Sequence, residues 1–178
     1  MSQLIILTGR ARSGKTTVSH YLRDKHDFKI VKFAGILKEM LYQLGLSEAH
    51  IEGELKEVPC ELLGGKTPRY AMQTLGTEWG RGMISQTLWV DAWRREVETL
   101  LDWGYDVVTD DCRFDNELEA ALELGATVIK MSRQQTECDV SAAHASENVP
   151  SLCHHHIENN DGMIALHLEV DRIVNDEI

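Results

Sequence analysis

The stretch that decides the fold is Gly9-Arg10-Ala11-Arg12-Ser13-Gly14-Lys15-Thr16, which follows the short apolar run Gln3–Leu7 and Thr8. That run is too short for a helix and reads as a buried strand ending at Thr8-Gly9. A helical pattern then continues to about His26. Two glycines five positions apart, followed by Lys and Thr and set between a strand and a helix, make a complete phosphate-binding loop (P-loop). The glycines let the backbone aim its N–H groups at phosphate oxygens, and the helix start reinforces the anion site. Gly9, Arg12, Ser13, Gly14 and Thr17 complete this cradle. Lys15 is placed to reach the β- and γ-phosphates of a nucleotide, and the Thr16 hydroxyl to ligate Mg²⁺.

Outward from the loop, short apolar runs alternate with helical patterns. Lys29–Phe33 reads as a second strand, and Ile36, Leu37, Met40, Leu41 and Leu44 recur at helical spacing before Gly45. Residues 46–67 show no periodicity and read as a mobile functional insert. Pro68 opens a helix to about Trp79. Trp89, Trp93, Val97, Leu100 and Leu101 form an apolar stripe ended by Gly104. The stripe reads as core rather than as a base-stacking surface, with Trp89 at its start the residue that an edge position could expose. Tyr105–Asp111 reads as a strand, Phe114–Leu124 as a helix before Gly125, Thr127–Met131 as a fourth strand and Met163–Leu168 as a fifth. The alternation predicts an α/β P-loop fold of three layers, a mainly parallel five-stranded sheet with helices on both faces.

With 178 residues, 43% hydrophobic and 26% charged, the chain is long enough to bury its own core. No apolar run approaches the ~20 residues of a membrane span, and the N-terminus lacks the features of a signal peptide. Cys60, Cys112, Cys138 and Cys153 are too scattered for a disulfide scaffold and read as free thiols, which points to the cytoplasm. A net charge of −11 argues against a nucleic-acid polymer or a membrane as partner. Residues 1–38 nevertheless carry a balance of +6 against −17 for the rest, which fits a concentrated anion site or, equally on charge alone, a solvated basic face.

A P-loop needs a carboxylate at the end of another strand to hold Mg²⁺ and its waters, and Asp110 and Asp111 both fit. Arg69, Arg81, Arg113 and Arg133 lie outside the apolar stripes, at element edges where they can neutralise a phosphoryl group in transfer. Cys153-His154-His155-His156, with Cys138 and His144 upstream, matches no common zinc spacing and reads as a solvated loop.

Several blocks resemble phage-type deoxynucleoside monophosphate kinases. They are Lys32-Phe33-Ala34-Gly35-Ile36-Leu37-Lys38, the stretch TPRYAMQTLGTEWGR (Thr67–Arg81), DDCRFDNE (Asp110–Glu117) and His144-Ala145-Ser146-Glu147. The resemblance implies transfer of the γ-phosphate of ATP to a deoxynucleoside 5′-monophosphate, with Mg²⁺. It implies one P-loop kinase domain over 1–178, with a monophosphate-binding insert at about 35–85 and a lid at about 132–160. Lys15, Asp111, Arg113 and Arg81 are the implied catalytic residues, and Asp111 is preferred over Asp110 beside Thr16 at the metal. Arg133 is implied at ATP. Lys32, Phe33, Lys38, Arg69, Gln73, Glu78 and Trp89 are implied at the acceptor. A homodimer is implied as well, with the Trp-bearing helix as one surface for it.

Two other readings fit the P-loop. One is a kinase of another small acceptor, such as dephospho-coenzyme A or a sugar acid. The other is a nucleotide-dependent switch, for which the arginines after the loop are superfluous.

Overall fold

The computed structural model describes residues 2–134 and 152–176. Along the chain run β1 (Leu4–Thr8), α1 (Lys15–His26), β2 (Lys29–Ile30), α2 (Gly35–Gln43), α3 (Glu48–Ile51), α4 (Pro68–Gln73), α5 (Leu88–Asp102), β3 (Val107–Thr109), α6 (Asp115–Glu123), β4 (Thr127–Ser132), β5 (His155–Glu158) and α7 (Met163–Asp176). Two 3₁₀ turns, Glu54–Glu57 and Glu61–Leu63, precede α4, and a π-helical stretch, Thr74–Ile84, continues it. The chain forms two compact units, Met1–Lys32 with Arg94–Ile178, and Phe33–Trp93.

The first unit holds the whole sheet, in the order β2-β3-β1-β4-β5 with every neighbouring pair parallel. All of β1 is buried at its centre, where Ile5 pairs with Val108 on one side and Thr127 on the other. Ile5 and Leu7 pack with Val18 and Leu22 of α1 and with Leu166, Val170 and Ile173 of α7. Leu4 and Ile6 alternate to the opposite face. The chain moves along the sheet one way from β1 to β2 and the other way from β3 to β4. Right-handed crossovers therefore put α1 and α6 on opposite faces. The expected three-layer α/β fold is present. Each fully buried Leu, Ile or Val in these layers contributes roughly 1.5–3 kcal/mol.

Two strands are shorter than expected, β2 ending at Ile30 rather than Phe33 and β3 spanning Val107–Thr109 rather than Tyr105–Asp111, and the fifth lies elsewhere. Met163–Leu168 begins α7, and the fifth strand is His155–Glu158. Leu166, Val170, Ile173 and Val174 are buried at helical spacing, a period that the six residues Met163–Leu168 are too few to display. In β5 only Ile157 is buried, so an edge strand of histidines carries almost no apolar signal. The histidines are fixed to β4. The main chain of His154 donates to Val128 O at 2.8 Å, its Nδ1 accepts from Val128 N at 2.9 Å, and His156 Nε2 lies 2.9 Å from Ser132 Oγ. They are therefore strand and strand edge rather than a solvated loop. Among the described residues no group of three His, Cys, Asp or Glu could hold a metal. Cys138 and His144–Glu147 lie outside the described residues.

In the second unit, Leu37 and Leu41 of α2 pack with Leu46, Ile51 and Trp89. Residues 46–67 are built of elements too short to show a period. Ser47 Oγ and His50 Nδ1 meet at 2.8 Å at the start of α3, and Cys60 N donates to Lys66 O at 3.0 Å across a tight turn. Pro68 opens α4 as expected, and Thr67 Oγ1 caps it by accepting from Tyr70 N at 3.1 Å. The helix expected to reach Trp79 as one α-helix instead widens to π geometry at Thr74.

Candidate active site

Backbone geometry shapes the P-loop. The chain leaves β1 at Gly9, where a Cβ would sit 2.2 Å from Met131 O, so only glycine lets the loop pass that close to β4. Arg12 has φ of 63° and Gly14 φ of 107°, two left-handed turns that bring the chain round into α1. The loop closes on itself with Ser13 N donating to Arg10 O at 3.3 Å. Lys15 Nζ folds back over it and donates to Gly9 O at 2.7 Å and Arg10 O at 2.8 Å. Ser13 Oγ is buried inside the loop and has no hydrogen-bond partner among the described residues. An anion seated in the cradle supplies that partner, so the residues present fit a phosphate.

Burial holds the Lys15 ammonium down to about 8, helped by the nearby positive charge of Arg113 and opposed by Asp110 and Asp111. Lys15, Arg113 and the two carboxylates thus form one electrostatic cluster at the ends of β1 and β3. The carboxylates differ in placement. Asp110 is 5% exposed and accepts from Ser19 Oγ of α1 at 2.8 Å, with Lys32 Nζ 3.4 Å from its other oxygen. Asp111 is half-buried. Arg113 is exposed, and its main-chain N–H donates to Glu117 Oε2 at 2.7 Å. Phe114 N donates to the same oxygen at 3.1 Å, so buried Glu117 holds the turn that carries Arg113.

A cavity of about 360 Å³ opens beside the loop, lined by Arg12, Lys15, Thr16, Arg133, Asn159 and Met163 among others. Its charged end is the P-loop, and Met163 and Leu166 supply an apolar wall. Asn159 is the residue that the sequence did not single out. It follows β5, and its Nδ2 donates to Ser13 O at 3.1 Å. A Cβ on Gly14 would meet the same nitrogen at 2.4 Å. The Asn159-Asn160-Asp161-Gly162 run reads in sequence only as a turn. Ser19 carries no motif either, and Glu117 closes the Asp110–Glu117 block without a role of its own there; both act through the neighbours they hold.

In the second unit, Arg69, Gln73, Glu78 and Arg81 lie along the continuous segment of α4 and the π-helical stretch. Arg69 is ion-paired with Glu57, and Lys38 with Glu52 at 2.6 Å. Glu78 is exposed, whereas Arg81 is 9% exposed, with Nη1 donating to Gln86 O at 3.2 Å. Phe33 is buried against Trp93, with ring centroids 4.3 Å apart. Trp89 is 6% exposed and belongs to the core of this unit, not to an exposed edge.

A P-loop at the end of the central strand of a parallel 2-3-1-4-5 sheet, with a carboxylate pair on the adjacent strand, defines a P-loop kinase fold. Solved structures share it. Protein TT1252 of Thermus thermophilus superimposes with a TM-score of 0.56 at 16% identity, over 99% of this chain and 98% of its own. A dephospho-CoA kinase of Campylobacter jejuni gives 0.53 at 13% identity, over 99% and 97%. At these identities the likeness is one of fold alone.

The family model for deoxynucleotide monophosphate kinase matches residues 66–170. A protein of Acanthamoeba polyphaga mimivirus, provisionally named a deoxynucleotide monophosphate kinase, is 34% identical over 157 residues, covering 81% of this chain and 80% of its own. The chain belongs to the deoxynucleotide monophosphate kinase family. Among the described residues no helix is long and apolar enough to cross a membrane.

Proposed function

We propose that the protein transfers the γ-phosphate of ATP to deoxynucleoside 5′-monophosphates, giving the diphosphate and ADP. The observation that carries this reading is the P-loop cluster, in which Lys15 folds over its own loop and feels the charges of Arg113, Asp110 and Asp111. An acceptor phosphate oxygen attacks the γ-phosphorus, the bond to the β,γ-bridging oxygen breaks, and ADP leaves with the electron pair. No covalent protein intermediate is needed, so the work is positioning and charge neutralisation.

Lys15 exchanges the carbonyls of Gly9 and Arg10 for β- and γ-phosphate oxygens, while the backbone of Gly9–Thr17 cradles the chain and Ser13 Oγ gains its partner. Thr16 and half-buried Asp111 would hold Mg²⁺, in keeping with the resemblance to the family, while buried Asp110 faces Ser19 and Lys32. An ion held there would supply charge neutralisation for the donor's phosphates, and Mg²⁺ needs only one or two protein carboxylates. Arg113 neutralises the moving phosphoryl group. Arg133, on the cavity wall with Arg12, serves the donor nucleotide. Lys32, Phe33, Lys38, Arg69, Gln73, Glu78 and Arg81 serve the acceptor, and Trp89 serves it from within the core. In this reading 35–85 is the monophosphate-binding insert and 132–160 the lid of one kinase domain.

The test is ADP release from Mg-ATP with each deoxynucleoside monophosphate, each ribose counterpart, dephospho-coenzyme A, a sugar acid, and no acceptor. Release that depends on a deoxynucleoside monophosphate supports the reading. Release with dephospho-coenzyme A or the sugar acid alone assigns another acceptor, and release without any acceptor assigns a nucleotide switch.

A further inference from the structure

The π-helical stretch has a visible cause. Ser85 N donates to Gly80 O at 2.9 Å, five residues apart, the spacing of a π-helix and not of an α-helix. In an α-helix the Gly76 carbonyl accepts from the N–H of Gly80, four residues on. Here Trp89 Nε1 donates to Gly76 O at 2.8 Å. The indole also occupies the space beside Gly80, where a Cβ would lie 2.5 Å from Nε1 and 2.6 Å from two ring carbons. The ring therefore stands at the place of one α-helical hydrogen bond, and a side chain inserted into that ladder is a recognised cause of helix distortion. Two glycines make the insertion feasible: Gly76 offers an unshielded carbonyl and Gly80 gives the ring room.

The widening changes which residues share a face. In an α-helix neighbours along the surface are three and four apart, so Glu78 would stand over Thr74 and Leu75. In π geometry the turn is wider and surface neighbours lie four and five apart, which brings Gln73 round to the face of Glu78 and Gly76 to that of Arg81. The inward side, with buried Gly80 and Arg81, is the one Trp89 braces, and Glu78 stays exposed.

We propose that Trp89 is a positioning residue for the acceptor. By holding Thr74–Ile84 in π geometry it brings half-buried Gln73 and exposed Glu78 to one face, as a carboxamide and carboxylate pair that meets the acceptor nucleotide. This rests on the reading of the second unit as the acceptor-binding part. Trp89 itself touches no substrate, and Gly80 is its necessary counterpart.

The experiment compares Trp89→Phe, Gly80→Ala and Trp89→Leu/Gly80→Ala with the unmodified protein. Trp89→Phe keeps a ring but loses the bond to Gly76 O. Gly80→Ala drives a methyl into the indole, and the smaller Leu in the double variant makes room for it. KM for the acceptor and for ATP, kcat and thermal midpoint are measured for each. The expected result is a rise of about tenfold in acceptor KM for both single variants, with ATP KM within twofold. The double variant is less impaired than the two single effects combined, because contacting sites couple. The ¹⁵N-indole spectrum, with four tryptophans to assign, should show the Trp89 signal exchange-protected, shifted on acceptor addition and lost in Trp89→Phe. Acceptor KM unchanged in both single variants overturns the proposal, and so does an equal rise in both KM values, which marks general loosening. Variants that do not fold are read by the unmodified protein's spectrum, where an unprotected Trp89 indole, or one unmoved by acceptor, overturns it. A protein that never uses a nucleotide acceptor removes the underlying reading as well, and its own turnover assay shows this separately.

Discussion

Asn159 Nδ2 donates to Ser13 O at 3.1 Å, and with this bond the turn after β5 holds the P-loop from 146 residues away. The same nitrogen occupies the volume that a Cβ on Gly14 would need. The loop's shape therefore depends on a residue outside the loop. Removing a neutral hydrogen bond of this kind costs about 1 kcal/mol, or roughly fivefold in an equilibrium constant. Asn159→Ala should raise KM for ATP about fivefold and leave acceptor KM within twofold. Steady-state kinetics with each substrate varied in turn checks this. Equal effects on the two substrates would show that Asn159 does not act through the loop.

The two strand-end carboxylates should separate by substitution. Asp110 is buried between Ser19 and Lys32, so Asp110→Asn removes the buried negative charge that faces Lys32 Nζ. A loss of about 3 kcal/mol is expected from breaking a buried pair, seen as a lowered denaturant midpoint. Asp111 is half-buried, and Asp111→Asn should leave stability within about 0.5 kcal/mol. Its turnover should become strongly dependent on added Mg²⁺, requiring on the order of tenfold more metal. A magnesium titration of both variants decides which carboxylate faces the ion.

Lys15→Ala and Arg113→Ala test the transfer step. Removing one preorganised charge from such a site typically lowers kcat by about 10²–10³-fold. Each variant should retain a cooperative melting transition, since Arg113 is exposed and the hydrogen bonds of Lys15 run to Gly9 and Arg10 of its own loop. Near-normal turnover in both, measured with saturating nucleotide, would rule out the mechanism.

How much was legible in the sequence follows from how each element announces itself. The P-loop was, because its glycines are demanded by positive φ at Gly9 and Gly14 and by the contact with Met131 O. So were β1 and β4, whose apolar runs are buried on both faces. β5 was not, because its core contribution is Ile157 alone and its other positions are His or Glu. The first turns of α7 were not, because six residues, five of them apolar, fit a strand or a helix equally. The π geometry was not legible either, since it is imposed by Trp89, which follows the stretch in the chain and returns to it only in the fold. Asn159 escaped notice for the same reason: its importance lies in a partner distant in sequence.

Asp171 joins α7 to α1 and sets a pH limit on the sheet unit. Its carboxylate accepts from Lys25 Nζ at 2.6 Å and from Tyr21 Oη at 2.8 Å, and lies 2.8 Å from His26 Nε2. The hydrogen bond from Lys25, and after it those from His26 and Tyr21, hold the Asp171 carboxyl down to about 2. Tyr21 is also stacked on His167 of α7, with ring centroids 3.7 Å apart. A carboxyl depressed in the folded state contributes stability above its unfolded value near 3.9, and that contribution is lost as pH falls towards 2. The group is partly solvated, so screening reduces its worth to about 1–2 kcal/mol. Asp171→Asn should therefore lower the thermal midpoint by several degrees at pH 7. The gap should narrow as pH falls from 4 towards 2, where the unmodified protein loses the same interaction. Melting curves of the two proteins across that range check both the size and the sign, and a gap that widens on acidification would contradict the linkage.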